Sequence, residues 1–242
     1  MPARRFFVEG IRDAGDVVPL SGSDAHKIAN VLRLRDGDRI DVVDSAAQTF
    51  DASLTIADGA VHATLIALRP RKAPDELLID VAQGIPKGQK MDYVVEKLTE
   101  LGVATILPIA TERSVVREAG FSKIERWRRL VQAAAQQSGR DTVPAIEDPL
   151  DLDHLIERFH EYDAVLFPWE VAVPEPLRDV LPHLVEHAKR ILVVIGPEGG
   201  FSHAEAERAA AAGGHLISLG SRILRTETAA LVVLAVLQYL RS

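Results

Sequence analysis

The amino-acid sequence predicts an α/β protein with a small N-terminal β-barrel and a larger C-terminal domain built on a mostly parallel sheet. From Leu77 onward, short apolar runs alternate with segments of helical periodicity, which predicts repeated β-α units. Before that point the chain reads mainly as strands. Arg69 to Pro74, RPRKAP, has two prolines, three basic residues and no periodicity, as expected of a linker. We therefore expect domains at residues 1–70 and 75–242.

Residues 1–70 contain several predicted strands and one predicted helix. Between Gln48 and Ile56, the residues Phe50, Ala52, Leu54 and Ile56 fall on one face of a strand. Other strands are expected at the segment RFFVEG, at Arg39–Val43 after a turn at Gly37 and Asp38, and at Ala60–Leu68. The predicted helix is Ser23–Leu32, with Ser23 as N-cap and one face formed by Ala25, Ile28, Ala29 and Leu32.

Residues 75–242 are predicted to alternate strands and helices. The first helix has Met91, Val94, Val95, Leu98 and Leu101 on one face, and Gly102 follows at its end. The predicted strands are Leu77–Ala82, Thr105–Ile109, Ala164–Phe167, Ile191–Ile195 and His215–Leu219. The other predicted helices are Ser122–Gln137, Pro176–Ala188, Ser202–Ala212 and Glu227–Leu240. This order predicts helices on both faces of the sheet.

Composition and charge narrow the class of protein. Apolar residues make up 47% of the chain and cysteine is absent, so we expect a globular cytoplasmic protein with no disulfide or thiolate chemistry. No apolar run suits a signal peptide or a membrane span. The net charge is −7, but Lys and Arg outnumber Asp and Glu by 12 to 9 in residues 71–140. A local basic surface can bind RNA although the overall charge is negative.

The segment GPEGGFS, Gly196–Ser202, follows a predicted buried strand. Ligands of open α/β sheets bind at the carboxyl ends of strands, and glycines let the backbone approach a ligand closely. A tight turn into a helix is the other interpretation, with Ser202 as N-cap and Glu205 completing a capping box. The capping box explains Ser202 and Glu205 but not the preceding residues, so both interpretations stay open.

The segment LGSRILRTETAA, Leu219–Ala230, runs from the last predicted strand into the last predicted helix. Thr226 is expected as its N-cap, and Glu227 lies in the first turn, where an acidic side chain suits the helix dipole. Arg222 and Arg225 flank the apolar pair Ile223 and Leu224. Beside the glycine-rich loop, the apolar pair could contact an adenine and the arginines an anionic substrate.

Other nucleotide and metal sites lack support. GPEGGFS lacks the lysine followed by a serine or threonine hydroxyl that ends a P-loop, and no G-x-G-x-x-G follows a strand. The histidines, His26 among them, match no metal-ligand spacing, so no metal is expected.

Taken in order, the motifs resemble those of the RsmE family, small-subunit ribosomal RNA methyltransferases of the SPOUT superfamily. Besides GPEGGFS and LGSRILRTETAA, the resemblance includes HKIANVLRLRDGD at His26–Asp38, IPKGQKMDYVVEKLTELGV at Ile85–Val103, P-x-x-x-ERSVV at Pro108–Val116 and QQSGR at Gln136–Arg140. It covers nearly the whole chain.

The resemblance implies a fold and an activity. The fold would be an N-terminal PUA-like barrel followed by a SPOUT-type α/β domain with a trefoil knot at the cofactor pocket. The chain would act as a homodimer, transferring a methyl group from S-adenosylmethionine to N3 of a uridine in 16S rRNA of the small ribosomal subunit. The alternatives are a SPOUT methyltransferase that acts on another RNA, a methyltransferase of a small molecule or a protein, and a non-catalytic RNA-binding assembly factor.

The resemblance also implies site residues. The cofactor-binding residues would be Leu166, Phe167, Pro168, Ile195, Gly196, Pro197, Gly199, Gly200, Leu219, Gly220, Ile223, Leu224, Thr228 and Ala229. The catalytic candidates are Arg225, which could stabilise charge on the imide oxygens, and Glu198, which could serve as a base or hold the loop. For Trp169, packing is favoured over a cofactor contact.

The expected RNA contacts are basic side chains. They are Arg4, Arg5, Lys27, Arg33, Arg35, Lys72, Lys87, Lys90, Arg113 and Arg140. Each one alone is more often a solvated surface charge, and only as a group do they predict RNA binding, which should weaken steeply as salt rises.

Overall fold

The computed structural model describes residues 4–70, 77–114, 120–170 and 175–241. It divides into two compact units. The first comprises Met1–Pro74 and Ala135–Val143, and the second comprises Asp75–Ala134 and Pro144–Ser242. Most of the predicted linker, including Lys72, lies outside the described residues.

The first unit contains a five-stranded sheet with the order β1-β3-β4-β5-β2. Its strands are β1 (Arg5–Phe7), β2 (Val17–Pro19), β3 (Arg39–Val43), β4 (Thr49–Ala57) and β5 (Ala60–Leu68). The β1–β3 pair is parallel and the other pairs are antiparallel. Among the described residues no ladder joins β1 to β2, so closure into a barrel stays a prediction.

The core of the first unit follows the predicted alternation. Phe50, Ala52 and Leu54 on β4 are fully buried, and Ile56 is partly buried against the same cluster. Phe6, Ile28 and Leu65 pack into it from other elements. The period-2 pattern therefore identified the buried face of β4 correctly.

The predicted helix at Ser23–Leu32 is less regular than expected. The helix α1 (Ser23–His26) is followed by a π-helical turn at Lys27–Val31. Gly22, not Ser23, occupies the N-cap position, and no side chain caps the helix. Ala29 is exposed because the π-helical turn shifts the register of the face that Ile28 and Leu32 share.

Polar side chains of the segment Ala135–Val143 form hydrogen bonds and an ion pair with the rest of the first unit. The Gln136 side chain accepts a hydrogen bond from Lys27 Nζ at 2.8 Å and donates one to Asp24 at 3.1 Å. Asp141 pairs with Arg5 at 2.5 Å and accepts a hydrogen bond from Thr49 at 2.9 Å. The QQSGR motif therefore has a structural role in this unit.

The described residues of the second unit form an eight-stranded sheet in which every pair is parallel, where the sequence predicted a mostly parallel sheet. Its strands are β6 (Leu78–Gly84), β7 (Thr105–Ala110), β8 (Ala145–Ile146), β9 (Leu150–Asp151), β10 (Ala164–Pro168), β11 (Glu175–Pro176), β12 (Arg190–Ile195) and β13 (His215–Ser218). The order is β11-β13-β10-β12-β6-β7-β8, and β9 also pairs with β7.

Helices cover both faces of this sheet. They are α2 (Lys90–Glu100), α3 (Phe121–Ser138), α4 (Leu152–Glu157), α5 (Leu177–Val185), α6 (His203–Ala211) and α7 (Thr226–Arg241). Along β12, Ile191, Val193 and Ile195 pack in one core with residues of α2, α3, α5 and α7. Leu192 and Val194 pack in a second core with residues of α4 and α6. Both faces of β12 are thus buried, which explains its uninterrupted apolar sequence.

Several short elements were not predicted. The strands β2, β8, β9 and β11 have two or three residues each, and α4 has six, too short to show a period. None of the helices in the described part of the chain is long and apolar enough to cross a membrane.

The end of α2 depends on Gly102, which has a φ of 93°. Alanine at this position should lower the free energy of unfolding by about 1–2 kcal/mol, because a Cβ is strained in the left-handed region. Asparagine, which tolerates that region better, should cost less. Urea unfolding of Gly102→Ala and Gly102→Asn measures the difference. Equal stability of wild type and Gly102→Ala would contradict this account of the helix end.

Candidate active site

A cavity of about 590 Å³ lies in the second unit at the carboxyl ends of β10, β12 and β13. The segments after these strands, together with the start of α7 and one residue of α2, supply its lining. The lining residues are Lys90, Pro168, Trp169, Glu170, Ile195, Gly196, Pro197, Glu198, Gly200, Phe201, Ile217, Ser218, Leu219, Gly220, Arg222, Ile223, Leu224, Arg225, Thr226 and Ala229. A ligand site of an open α/β sheet is expected at this edge.

The glycine-rich loop, residues 196–200, packs against the end of β6. A Cβ on Gly84 would lie only 2.4 Å from the Pro197 nitrogen, so this approach requires glycine. Gly200 has a φ of 63°, and its N–H donates to the Pro197 carbonyl at 2.9 Å. The loop is therefore a tight turn that presents backbone to the cavity.

The predicted capping box at the start of α6 is confirmed. The Glu205 N–H donates to Ser202 Oγ at 3.2 Å, and the Ser202 N–H donates to the Glu205 carboxylate at 2.8 Å. Glu205 also accepts a hydrogen bond from the Glu112 N–H at 2.7 Å. The loop is thus both a capped turn and part of the cavity wall, so the two interpretations are compatible.

The second wall, residues 219–225, carries side chains of mixed character. Leu224 is half-buried against the main core, whereas Ile223 is 86% exposed at the cavity. Arg222 and Arg225 are exposed, and their guanidinium groups have no hydrogen bond or ion pair within the described residues. Two cations are therefore available to a ligand at this wall.

Thr226 is not an N-cap, contrary to the prediction. It is the first residue of α7, and its hydroxyl donates to the Gly196 carbonyl at 2.5 Å. The same oxygen accepts a hydrogen bond from Gln83 Nε2 at 2.8 Å. The Thr226 side chain is buried, and its hydroxyl is held by Gln83 and Gly196, which are distant in sequence. It is therefore not available to cap its own helix.

Lys90 lies between two carboxylates at the edge of the cavity. Its Nζ is 3.1 Å from Glu198 and 3.5 Å from Glu227, and the Lys87 N–H also donates to Glu198 at 3.1 Å. Burial alone would raise the pKa of the Glu198 carboxyl. Hydrogen bonds from backbone N–H groups and from Lys90, together with the charge of Lys90, outweigh burial and lower that pKa. The bond to Glu198 raises the pKa of Lys90. Both groups are therefore charged near neutral pH.

Residues 73–238 match the family model of the RNA methyltransferase domain. The ribosomal RNA small subunit methyltransferase E of Bacillus subtilis is 30% identical over 248 residues, which cover 98% of this chain and 96% of that protein. The chain belongs to the ribosomal RNA small subunit methyltransferase E family. The resemblance inferred from the sequence motifs is confirmed.

Solved structures of similar proteins share this architecture. The ribosomal RNA small subunit methyltransferase E of Neisseria gonorrhoeae, bound to S-adenosylmethionine, has 30% identity and a TM-score of 0.88, with 98% of each chain covered. A methyltransferase of Legionella pneumophila, also with bound S-adenosylmethionine, has 30% identity and a TM-score of 0.88. The match covers 99% of this chain and 98% of the Legionella chain.

Most of the cofactor residues predicted for this family member line the cavity. Those that do are Pro168, Ile195, Gly196, Pro197, Gly200, Leu219, Gly220, Ile223, Leu224 and Ala229, and both catalytic candidates, Arg225 and Glu198, do so as well. Leu166, Phe167, Gly199 and Thr228 do not. Leu166 and Phe167 are fully buried in the two cores, Thr228 is exposed on α7, and the Gly199 carbonyl accepts a hydrogen bond from Arg113.

Several lining residues were not predicted as site residues. They are Trp169, Glu170, Phe201, Ile217, Ser218 and Thr226, together with Lys90, which was predicted only as an RNA contact. Arg222, which the sequence placed with Arg225 beside an anionic substrate, also lines the cavity. Trp169 is 5% exposed with its ring 5.3 Å from that of His203, and its Nε1 has no hydrogen-bond partner among the described residues. Trp169 is thus packed, the role favoured from the sequence, and it also borders the cavity. Its position directly after β10 was the sequence feature that could have indicated a cavity residue.

The basic residues predicted for RNA fall into two groups. Arg4, Arg33, Arg35 and Lys87 are exposed. Arg5, Lys27, Lys90, Arg113 and Arg140 have intramolecular hydrogen bonds. Lys27 is half-buried, and burial lowers its pKa although Asp24 acts in the opposite direction. Within the described ranges, no three His, Asp or Glu side chains are placed to share a metal ion.

The contacts of Glu198 predict a pH-dependent contribution to stability. A carboxyl whose pKa is lowered by folding stabilises the protein above its unfolded pKa, and this stabilisation is lost as the pH falls through the folded value. Glu198→Gln should therefore cost about 0.5–1 kcal/mol at neutral pH, as for a partly exposed ion pair. The difference from wild type should vanish in acid.

Thermal unfolding across the acidic range measures this difference, with Glu186→Gln, a change at an exposed site after α5, as the control. A Glu198→Gln deficit that persisted unchanged in acid would show that the charge of Glu198 does not stabilise the loop.

Proposed function

We propose that this chain transfers a methyl group from S-adenosylmethionine to N3 of a uridine in 16S rRNA of the small ribosomal subunit. The observation that carries the proposal is the cavity at the carboxyl ends of β10, β12 and β13, walled by the glycine-rich loop and residues 219–225. The family to which the chain belongs supports methylation of ribosomal RNA. Two similar structures bound to S-adenosylmethionine support the cofactor.

The residues of the cavity fit this cofactor. The glycine-rich loop and the segment around Gly220 offer backbone groups without an intervening Cβ, which suits hydrogen bonds to the polar edges of an adenosine. Ile195, Ile217 and Leu224 add apolar surface for the adenine ring. Leu166 and Phe167 would shape the site from behind, since their side chains are buried in the cores.

When bound, the cofactor supplies an electrophilic methyl group on a sulfonium. Uridine N3 must lose its proton as the N–CH₃ bond forms and the C–S bond breaks, and negative charge develops on the adjacent imide oxygens. Arg225 is exposed at the cavity, and its guanidinium has no hydrogen bond or ion pair in the described part of the chain. Its guanidinium stays protonated and can donate two parallel hydrogen bonds, so it would stabilise these oxygens.

Glu198 is better suited to positioning than to proton transfer. A general base works best with a pKa near the operating pH. Against the effect of burial, the pKa of Glu198 is lowered by hydrogen bonds from its own backbone N–H, from Lys90 and from the Lys87 N–H. Those bonds also occupy its carboxylate. In this proposal Glu198 holds the loop, and solvent or an RNA group accepts the N3 proton.

In this proposal the first unit binds RNA and the second unit carries out the methyl transfer. The first unit, as a PUA-like barrel, would bind RNA through exposed cations such as Arg4, Arg33 and Arg35. The second unit, with the trefoil knot of the SPOUT superfamily, would hold the cofactor and methylate the RNA as a homodimer. The barrel, the knot and the homodimer are what the resemblance to the RsmE family implies, and the family assignment supports an RNA substrate.

Small ribosomal subunits from a strain lacking this gene provide the test. Their 16S rRNA should lack one methyl group by mass spectrometry, and wild-type protein with S-adenosylmethionine should restore it. Arg225→Ala should bind the cofactor within about threefold of wild type but lower kcat by about 10²-fold, as for loss of one donor to an oxyanion. Arg178→Ala, at an exposed position on α5, is the control.

Two results would contradict the proposal. If 16S rRNA from the strain already carried every methyl group, the substrate would be another RNA, or the chain would be an assembly factor. If Arg225→Ala kept normal turnover, the arginine would have no part in the chemistry.

A further inference from the structure

A buried chain of hydrogen bonds joins the two walls of the cavity from behind. Gln83, the penultimate residue of β6, is fully buried, and its Nε2 donates to Thr226 Oγ1 at 2.8 Å and to the Gly84 carbonyl at 3.0 Å. Thr226, 6% exposed, donates in turn to the Gly196 carbonyl at 2.5 Å. We name Gln83, Thr226 and Gly196 the loop relay.

The direction of donation in the loop relay is determined by chemistry. The amide nitrogen of Gln83 faces two oxygens, so this end of the side chain must be the donor. A threonine hydroxyl has one proton, and because its oxygen accepts from Gln83, that proton is free for the Gly196 carbonyl. The sequence is therefore Gln83 N–H to Thr226 O–H to Gly196 C=O.

The loop relay connects three segments that are far apart in sequence. Gln83 pairs in register with Ile195, the residue before Gly196, across the β6–β12 ladder. Thr226 begins α7 directly after the second wall of the cavity. One hydroxyl thus links the start of the glycine-rich loop to the end of residues 219–225.

Burial of the Gln83 side chain has a cost in free energy. Its Oε1 is buried and has no hydrogen-bond partner among the described residues. An unsatisfied buried acceptor is costly, and an apolar side chain of similar size would avoid that cost. The presence of a glutamine at position 83 is explained if its N–H groups are needed to hold Thr226.

We propose that Gln83 and Thr226 are positioning residues that hold the glycine-rich loop and residues 219–225 in the geometry that binds S-adenosylmethionine. This inference rests on the proposed function. Both loops would then be ordered before the cofactor binds. The conformational entropy lost in ordering them would reduce the free energy of folding and not that of cofactor binding. Loss of the relay should then weaken cofactor binding more than it weakens the fold.

The chain offers closely matched variants. Thr226→Val removes the hydroxyl at constant shape, and Thr226→Ser retains it. Gln83→Met, of similar length, removes both N–H donors without placing a titratable group at this buried position. Thr99→Val is the control, because Thr99 is fully buried in α2, away from the cavity, and its hydroxyl donates to the Val95 carbonyl at 2.7 Å.

Calorimetric titration with S-adenosylmethionine and thermal unfolding are measured on each full-length variant. Thr226→Val and Gln83→Met should raise the Kd about tenfold or more, as for a lost buried hydrogen bond. Thr226→Ser should stay within about threefold of wild type, and Thr99→Val should lose thermal stability but bind within about twofold. If Thr226→Val does not fold, the contrast between Gln83→Met and Thr226→Ser decides.

A folded Thr226→Val that binds like wild type would overturn the inference, as would a Thr226→Ser that binds as weakly as Thr226→Val. Either result, with wild type binding normally, leaves the proposed function intact. Absence of binding by wild type would instead contradict the proposed function.

Discussion

A glycine at position 84 lets the loop after β12 lie directly on the end of β6, because a Cβ there would come within 2.4 Å of the Pro197 nitrogen. This approach places Gly196 within reach of the Thr226 hydroxyl and brings the start of α7 to the same edge of the sheet. Since both faces of β12 are buried by helices, polar chemistry is confined to the strand ends. The cavity follows from that constraint.

Charge at the cavity is arranged unequally. Lys90 lies between Glu198 and Glu227, so its positive charge is already compensated by two carboxylates. The guanidinium groups of Arg222 and Arg225, in residues 219–225, have no hydrogen bond or ion pair among the residues described. A compensated pair stabilises a loop at modest cost, whereas a free guanidinium remains available to an anionic or enolate-like group. The same contrast separates the positioning role proposed for Glu198 from the catalytic role proposed for Arg225.

Much of the fold could be predicted because its signals are local. The apolar run of β12, the helical face of α2 and the capping box of Ser202 and Glu205 each depend on residues within a few positions of one another. The role of Thr226 could not be predicted, since its partners lie on β6 and in the glycine-rich loop. For the same reason Arg5 and Lys27 read as surface cations, although distant residues pair with them.

Hydrogen–deuterium exchange of the full chain with and without S-adenosylmethionine tests the central claim, that two loops at the strand ends form one cofactor site. Saturating cofactor should slow exchange of amides in residues 195–201 and 218–226, because bound ligand suppresses local opening of the segments it contacts. Exchange in β5 of the first unit should not change. Protection confined to other segments, or to one of the two loops alone, would contradict the account.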